Sequence, residues 1–428
     1  MSAAATTTSR WPWLPSLYFA SGLPLVAVTM VSVIMYKRLG VSNAEIAFYT
    51  SWLYLPWVIK PLWSPLVDIL KTRRYWIVVM QLLIGAGFAA IALTLPADNF
   101  LRYSLAAFWL IAFSSATHDI VADGFYILAL DDHEQAWFVG IRNTFYRLAM
   151  ITGQGLLVMI AGRLEQRTGS VTLAWSITFY LFAALYLGLF AWHRYRLPHP
   201  AADLAGAAVS VRLLAARFAE TFITFFRKEH ILRVLAFLLL YRFAEAQLAK
   251  LAAPFLLDER GAGGLGLGTD AVGFVYGTVG IVMLTLGGIS GGFLAARQGL
   301  RYWLWWMVAA INLPNAVYIL LAWFQPESLL VVNIAVGIEQ FGYGFGFTAY
   351  MLYMIYVARG EHSTAHYAIC TGFMALGMML PGLFSGALQE LLGYRHFFIW
   401  IVVATLPSFF VAGLIPLDAA FGRGAAKA

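Results

Sequence analysis

Long apolar runs separated by short polar breaks dominate the chain. An α-helix needs about 20 apolar residues to cross a bilayer, whereas strands of a membrane barrel would be about ten residues long and alternate in polarity. The pattern therefore predicts helices. Six runs fall in the first half: Trp13–Met35, Ala44–Val67, Trp76–Leu95, Tyr103–Leu130, Trp137–Ala161 and Leu173–Trp192. Six more follow: Ile231–Leu257, Ala271–Ala295, Tyr302–Phe324, Leu329–Val357, Ala365–Leu388 and Phe397–Leu417. Between the sets lies the longest polar stretch. It opens on Pro198 and Pro200, and over Val211–Phe226 its apolar residues recur at helical spacing, as in an amphipathic helix lying on a membrane surface. This divides the chain into an N-terminal half (1–193), a linker (194–229) and a C-terminal half (230–428).

Composition agrees with a membrane protein of many spans. Of the 428 residues 61% are hydrophobic and 11% charged, against about 25% charged in a soluble domain, and the mean hydropathy is +0.76. The net charge of +7 is not a nucleic-acid signal, because no basic cluster alternates with exposed aromatics. It reflects topology instead. The loops on the N-terminal side carry 15 Lys and Arg, among them Lys71, Arg73, Arg74, Arg194 and Arg196, against 7 on the other side. Positive loops stay cytoplasmic, so both termini are expected inside, in a bacterial inner membrane, with the first run read as a helix rather than a cleaved signal. The single cysteine, Cys370, excludes an intrachain disulfide. The scattered histidines have no metal-ligand spacing, so neither metal nor cofactor is expected, and no clustered nucleophile suggests an enzyme.

Five ionisable residues stand out inside the apolar runs: Asp119, Arg147, Arg242, Glu245 and Glu339. A charge at bilayer depth costs about 3 kcal/mol or more, so such residues face a cavity or one another and mark a solute or proton path. At 1.5 Å per helical residue, Arg147, Arg242, Glu245 and Glu339 fall near the midplane and Asp119 toward the cytoplasm. Arg242 and Glu245 share a helix face and can pair. Glu339 opens a stretch with glycines at 342, 344 and 346, where another helix or a solute can approach closely. His118, beside Asp119, is either a proton relay or a hydrogen-bonded structural group. Tyr18, Tyr146, Tyr241 and Tyr343 are candidates to stack on a sugar ring.

The halves also repeat. Arg74-Tyr75-Trp76 matches Arg301-Tyr302-Trp303, and Ala136, Phe138 and Gly153 match Ala365, Tyr367 and Gly382 at nearly the same offset. Such a six-plus-six repeat is the architecture of major facilitator transporters, with the solute site between the halves. The loop Ser64-Pro65-Leu66-Val67-Asp68 followed by Arg73-Arg74 resembles that superfamily's loop signature, with Ser64 in place of the usual Gly and the basic pair one residue late. The resemblance implies that Asp68, Arg73 and Arg74 gate the cytoplasmic end, with Asp123 a possible partner.

Several strings are similar to AmpG-type permeases within the superfamily: Phe19-Ala20-Ser21-Gly22-Leu23-Pro24-Leu25, Lys60-Pro61-Leu62-Trp63-Ser64-Pro65, Ser115-Ala116-Thr117-His118-Asp119-Ile120-Val121-Ala122-Asp123, Tyr146-Arg147-Leu148, and Glu339 with its glycines. The resemblance implies an all-α major facilitator fold of 12 transmembrane helices in two six-helix halves. It implies proton-coupled uptake of cell-wall muropeptides or related amino-sugar solutes, by a monomer whose partners are lipid, solute and protons. Glu339 or Asp119 would carry the proton, and Arg147 and Arg242 would hold an anionic group. The same group contains siderophore and acetyl-CoA transporters, so a siderophore importer is the alternative. A drug exporter fits less well, since Ile151-Thr152-Gly153-Gln154-Gly155 lacks the proline of the exporter signature. The best-known AmpG proteins carry two extra helices between the halves, where this chain has the polar linker.

Overall fold

In a computed structural model the described residues are 10–200, 203, 211–360, 362–418 and 421, without the side chains of 65, 66, 68, 69, 132, 136, 139 and 211–217. The chain's two ends lie outside this set, as does the side chain of Asp68. Every regular element among the described residues is helical. In a bilayer a helix satisfies its own backbone, so apolar runs of this length have no cheaper conformation.

Twelve spans can be followed. In the first half α1 is Leu14–Arg38, α2 is Asn43–Trp52 continued by Leu55–Leu70, α3 is Arg73–Thr94 and α4 is Phe100–Ala129. Next, α5 runs from Asp132–Met150 through Ile151–Leu157 into Val158–Thr168, and α6 is Val171–Arg196. In the second half α7 is Ile231–Leu240 continued by Phe243–Leu257, α8 is Thr269–Gln298, α9 is Leu300–Phe324 and α10 is Leu329–Ala358. The stretch Ser363–Leu414 divides at Gly393, whose φ of 69° lies in the left-handed region, into α11 (363–392) and α12 (394–414). Among the described residues only nine helical stretches are long, apolar and unbroken enough to count as spans, because α11 and α12 run together while α2 and α7 are each interrupted.

Those interruptions correct the two helices expected to be continuous. In α2 the break covers Leu53 and Tyr54, where Pro56 has no N–H for the Trp52 carbonyl and its ring crowds that turn. In α7 the break is at Tyr241 and Arg242, with Arg242 at φ −108°, ψ 17°. Three helices also widen into π-helical segments: Ala27–Val31 in α1, Ile151–Leu157 in α5 and Val275–Gly280 in α8. These five irregularities lie on helices that meet at the centre of the molecule; α9 and α12 carry two more, a 3-10 turn at Leu313–Ala316 and a turn at Ala404 and Thr405. Irregular backbone is tolerated at membrane depth only where protein or a cavity surrounds it.

Several helix starts in the first half are capped by side chains. Ser42 accepts the Glu45 N–H at the start of α2, Thr72 accepts the Tyr75 N–H at α3, and Asp131 with Glu134 forms a reciprocal capping box at α5. The linker helix Val211–Phe226 is present where the apolar spacing predicts it. Its last turns are not simply surface-bound, because Phe225 is buried and the Thr224 hydroxyl lies 3.1 Å from His366 Nε2 of α11.

The π-segments of α5 and α8 touch through glycine: a Cβ on Gly155 would lie 3.0 Å from the Gly277 carbonyl, and one on Gly277 would collide with the Gly155 backbone. Replacing Gly277 by Ala should force the halves apart and destabilise the protein by about 1–3 kcal/mol. Gly292→Ala on the same helix, where a Cβ meets nothing within 4 Å, should be neutral. Thermal unfolding in detergent checks this, and equal melting of the two variants would contradict the contact.

Candidate solute site between the halves

A cavity of about 390 Å³ opens between the two halves, within the roughly 300–1,000 Å³ common for small-molecule sites. Its wall comes from α1, α2, α4 and α5 on one side and α7, α8, α10 and α11 on the other; α3, α6, α9 and α12 contribute none of it. Much of the lining is apolar and aromatic, including Trp57, Tyr54, Tyr146, Tyr276 and Tyr343, with Lys60, Asp119, Arg242, Glu245 and Glu339 as the ionisable groups.

Four of the five charges expected at depth therefore share one cavity. Arg242 Nε donates to Glu245 Oε2 at 2.8 Å and Arg242 Nη2 donates to the Tyr343 hydroxyl at 2.7 Å. Its guanidinium also lies 4.8 Å from the Phe347 ring centre. The α7 break places both Arg242 and Glu245 on its rim, so the pair forms locally and Tyr343 brings in α10. Glu339 is buried, accepts from the Gln340 amide at 3.0 Å, and is reached by the Tyr318 hydroxyl at 3.5 Å. Tyr318 in turn bonds to Tyr276, so a chain of hydroxyls leads from the cavity wall to the acid. Asp119 accepts from Trp57 Nε1 at 3.3 Å. Arg147 is the exception, donating to the Thr285 hydroxyl of α8 at 2.9 Å and bridging the halves without joining the cavity lining.

The glycines after Glu339 receive helices rather than solute. Gly342 and Gly346 lie against the α9 backbone at Ala310 and Met307, and Gly344 lies against Leu284 of α8. Of the tyrosines, Tyr146 and Tyr343 line the cavity. Tyr241 is buried with its hydroxyl on the Gly346 carbonyl, and Tyr18 sits under the Arg142 guanidinium at 4.5 Å; neither joins the lining. His118 is in a buried row, Ser21–His118–Gln81–His193–Ser16, which ties α1, α4, α3 and α6 together. That geometry is the hydrogen-bonded structural role.

The described contacts of the gate candidates lie at the linker end of the first half. Arg73 donates to the Gly124 carbonyl, and Arg74 to the Leu197 and Arg194 carbonyls, while Asp203 of the linker accepts both of their backbone N–H groups. These contacts stay within the first half and linker. Asp123 pairs with Arg142 at 2.9 Å and accepts from Tyr18 at 3.2 Å.

At the end of the molecule formed by the α1–α2, α5–α6, α7–α8 and α11–α12 loops, the halves are sealed by polar links. Asp258 meets Lys37 at 2.6 Å and accepts from Tyr394 at 2.6 Å, while Asn43 donates to Gln389 at 2.6 Å. Glu165 joins Arg38 at 2.9 Å to the Thr269 hydroxyl at 2.8 Å. The described polar contacts that cross between the halves lie at this end or at cavity level.

Sequence reasoning passed over Lys60, which lines the cavity, and Lys250, which lies against Tyr54 of its wall. Both fall inside apolar runs and satisfy the criterion that found the other five. Lys250 is 3% exposed; its Nζ donates to Thr50 Oγ1 at 2.9 Å and lies 5.0 Å from the Tyr54 ring centre. No carboxylate among the described residues reaches it within 4.0 Å. A ring face returns about 2 kcal/mol or somewhat more when desolvated, less than the several kcal/mol lost by burying an ammonium.

A family model for the Major Facilitator Superfamily matches residues 16–380. The chain belongs to that superfamily. It is thus a multi-pass membrane transporter. Two relatives are similar over most of their length. The anhydromuropeptide permease of Escherichia coli K12 is 27% identical over 91% of this chain and 76% of its own. A putative transporter, AmpG 4, of Rickettsia conorii is 25% identical over 92% and 94%. In structure the chain resembles a bacterial homologue of the human lysosomal transporter Spinster in an inward-facing, unoccupied conformation, with a TM-score of 0.71, 15% identity, and 96% and 98% of the two chains covered. The nucleoside transporter NupG gives a TM-score of 0.63 at 14% identity, with 95% and 98% covered. These likenesses show the fold.

Because Arg242 and Glu245 are both buried, removing one partner strands the other. Arg242→Met should cost about 3–5 kcal/mol, and the double change with Glu245→Gln should recover most of it. Thermal stability of the three variants checks the pairing, and additive losses would contradict it.

Proposed function

We propose that this transporter takes up cell-wall muropeptides, or closely related amino-sugar solutes, coupled to protons by alternating access. The observation that carries the reading is the cavity itself: aromatic walls, one open-facing lysine and a buried acid wired to tyrosines meet between the halves. Tyr146, Tyr343 and Trp57 offer faces for sugar rings, as aromatic faces do for apolar ring surfaces. Lys60 supplies the positive charge for a lactyl or peptide carboxylate. Arg242 is already held by Glu245, so it orients that wall more than it grips a free anion. The named relatives support the solute class, since the Escherichia coli protein is an anhydromuropeptide permease.

Glu339 is the proton carrier in this reading. It has no cationic partner among the described residues, and the Tyr276–Tyr318 hydroxyls connect it with the cavity. With both termini cytoplasmic in the inner membrane, the sealed end faces outward and the structure is the inward-facing state. Rocking of the halves about the α5–α8 contact then exposes the same cavity to the other side.

Vesicles given an imposed pH gradient and labelled anhydromuropeptide test this. Wild-type protein should accumulate the label, and Glu339→Gln should lose gradient-driven accumulation by about tenfold or more while retaining solute exchange. Unlabelled muropeptide should compete and a ferric siderophore should not. Competition only by the siderophore would shift the reading to siderophore import.

A further inference from the structure

We infer that Lys250 is the residue through which protons control the sealed end: that end closes over the neutral amine and opens over the ammonium. This extends the proposed function, since it assigns the gate a titrating group separate from Glu339.

Three observations converge on Lys250. Its position is at the seam, with α2 of the first half providing Thr50 and Tyr54, and α11 of the second half providing Gly382, whose Cβ would come within 3.5 Å of the lysine chain. Its amine is buried, and its described partners are a neutral hydroxyl and a ring face. The Thr50 hydroxyl already donates to the Ile46 carbonyl, so toward Lys250 it acts as an acceptor.

The described carboxylates on the elements packed around it are engaged elsewhere. On its own helix Glu245 is held by Arg242, and just beyond the helix Asp258 is held by Lys37 and Tyr394. On α11 Glu390 accepts the Ala44 N–H, and at the start of α2 Glu45 accepts from Ser42. Tyr54 faces the amine from α2, and Arg242 on its own helix is held by Glu245. Closing this seam over a charged amine therefore means desolvating an ammonium with no counter-ion. Opening the seam lets water reach the amine and a proton bind. Acid on that side consequently favours the open state, the state in which an uptake transporter must receive its solute. Unlike Lys37, which meets Asp258 at 2.6 Å and is strengthened by its charge, Lys250 is opposed by its charge.

The test reads gate opening without solute or gradient, so it stands or falls independently of the muropeptide assignment. In the full-length protein in nanodiscs, with Cys370→Ala, a thiol is introduced by Ala47→Cys. Ala47 is 1% exposed and lies one turn from Thr50 on α2. Maleimide labelling is normalised to an exposed thiol introduced by Arg167→Cys, which removes the intrinsic pH dependence of the reagent. With Lys250 present, labelling should rise on acidification by up to about tenfold per pH unit, the limit for one linked proton. Lys250→Met should label slowly at every pH, and Lys250→Arg, which keeps its charge, should label rapidly at every pH. If Lys250→Arg fails to fold, the comparison of wild type with Lys250→Met decides the matter. A Lys250→Met protein that keeps the wild-type pH dependence, or a wild type with none, overturns the inference.

Discussion

Asp258 is the point at which the two halves are tied. It follows α7 of the second half, yet its carboxylate meets Lys37 of α1 and receives Tyr394 of α12, while Asn43 of α2 reaches Gln389 of α11 beside it. Glu165 repeats the arrangement on the other flank, joining Arg38 to Thr269. Charge-assisted hydrogen bonds of this kind contribute about 1.5–3 kcal/mol each. That is enough to favour a closed end and small enough for solute or protonation to reverse.

Everything deeper follows from closing that end. The α1, α2, α5, α7, α8 and α11 helices that carry the seal also carry most of the cavity wall. Their backbone departs from α-geometry at cavity level, through breaks in α2 and α7 and π-segments in α1, α5 and α8. The Arg242–Glu245 pair sits beside one of those breaks, and Gly155 and Gly277 meet between two of the π-segments. The helices that stay outside the wall supply packing and hydrogen-bonding support, as Tyr318 of α9 does for Glu339.

Run length and composition made the twelve spans legible, because a bilayer demands long apolar helices and little else satisfies the backbone. The buried charges were legible for the same reason, and Lys60 and Lys250 would have been found by applying the criterion throughout. Which tyrosines face the cavity was not legible: the α7 break at Tyr241 and Arg242 resets the helical phase, turning Tyr241 into the second-half core while Arg242 meets the cavity. The seal was also invisible, since Asn43, Asp258 and Gln389 read as ordinary polar residues near loops until the repeat brings them together. Resemblance marked Arg73 and Arg74 as gate residues, and their described contacts hold α3 to α4, α6 and Asp203 at the end opposite the seal.

The claim that one cavity is exposed alternately to the two sides is tested most directly by paired distances. Spin labels replacing Arg167 and Glu259 report across the sealed end, and labels replacing Tyr195 and Thr364 report across the opposite end, each in the Cys370→Ala background. All four positions are exposed. On adding muropeptide in acidic buffer, the account predicts that the first distance lengthens in the same population whose second distance shortens. Distances that stay fixed, or that change in the same sense at both ends, would contradict it.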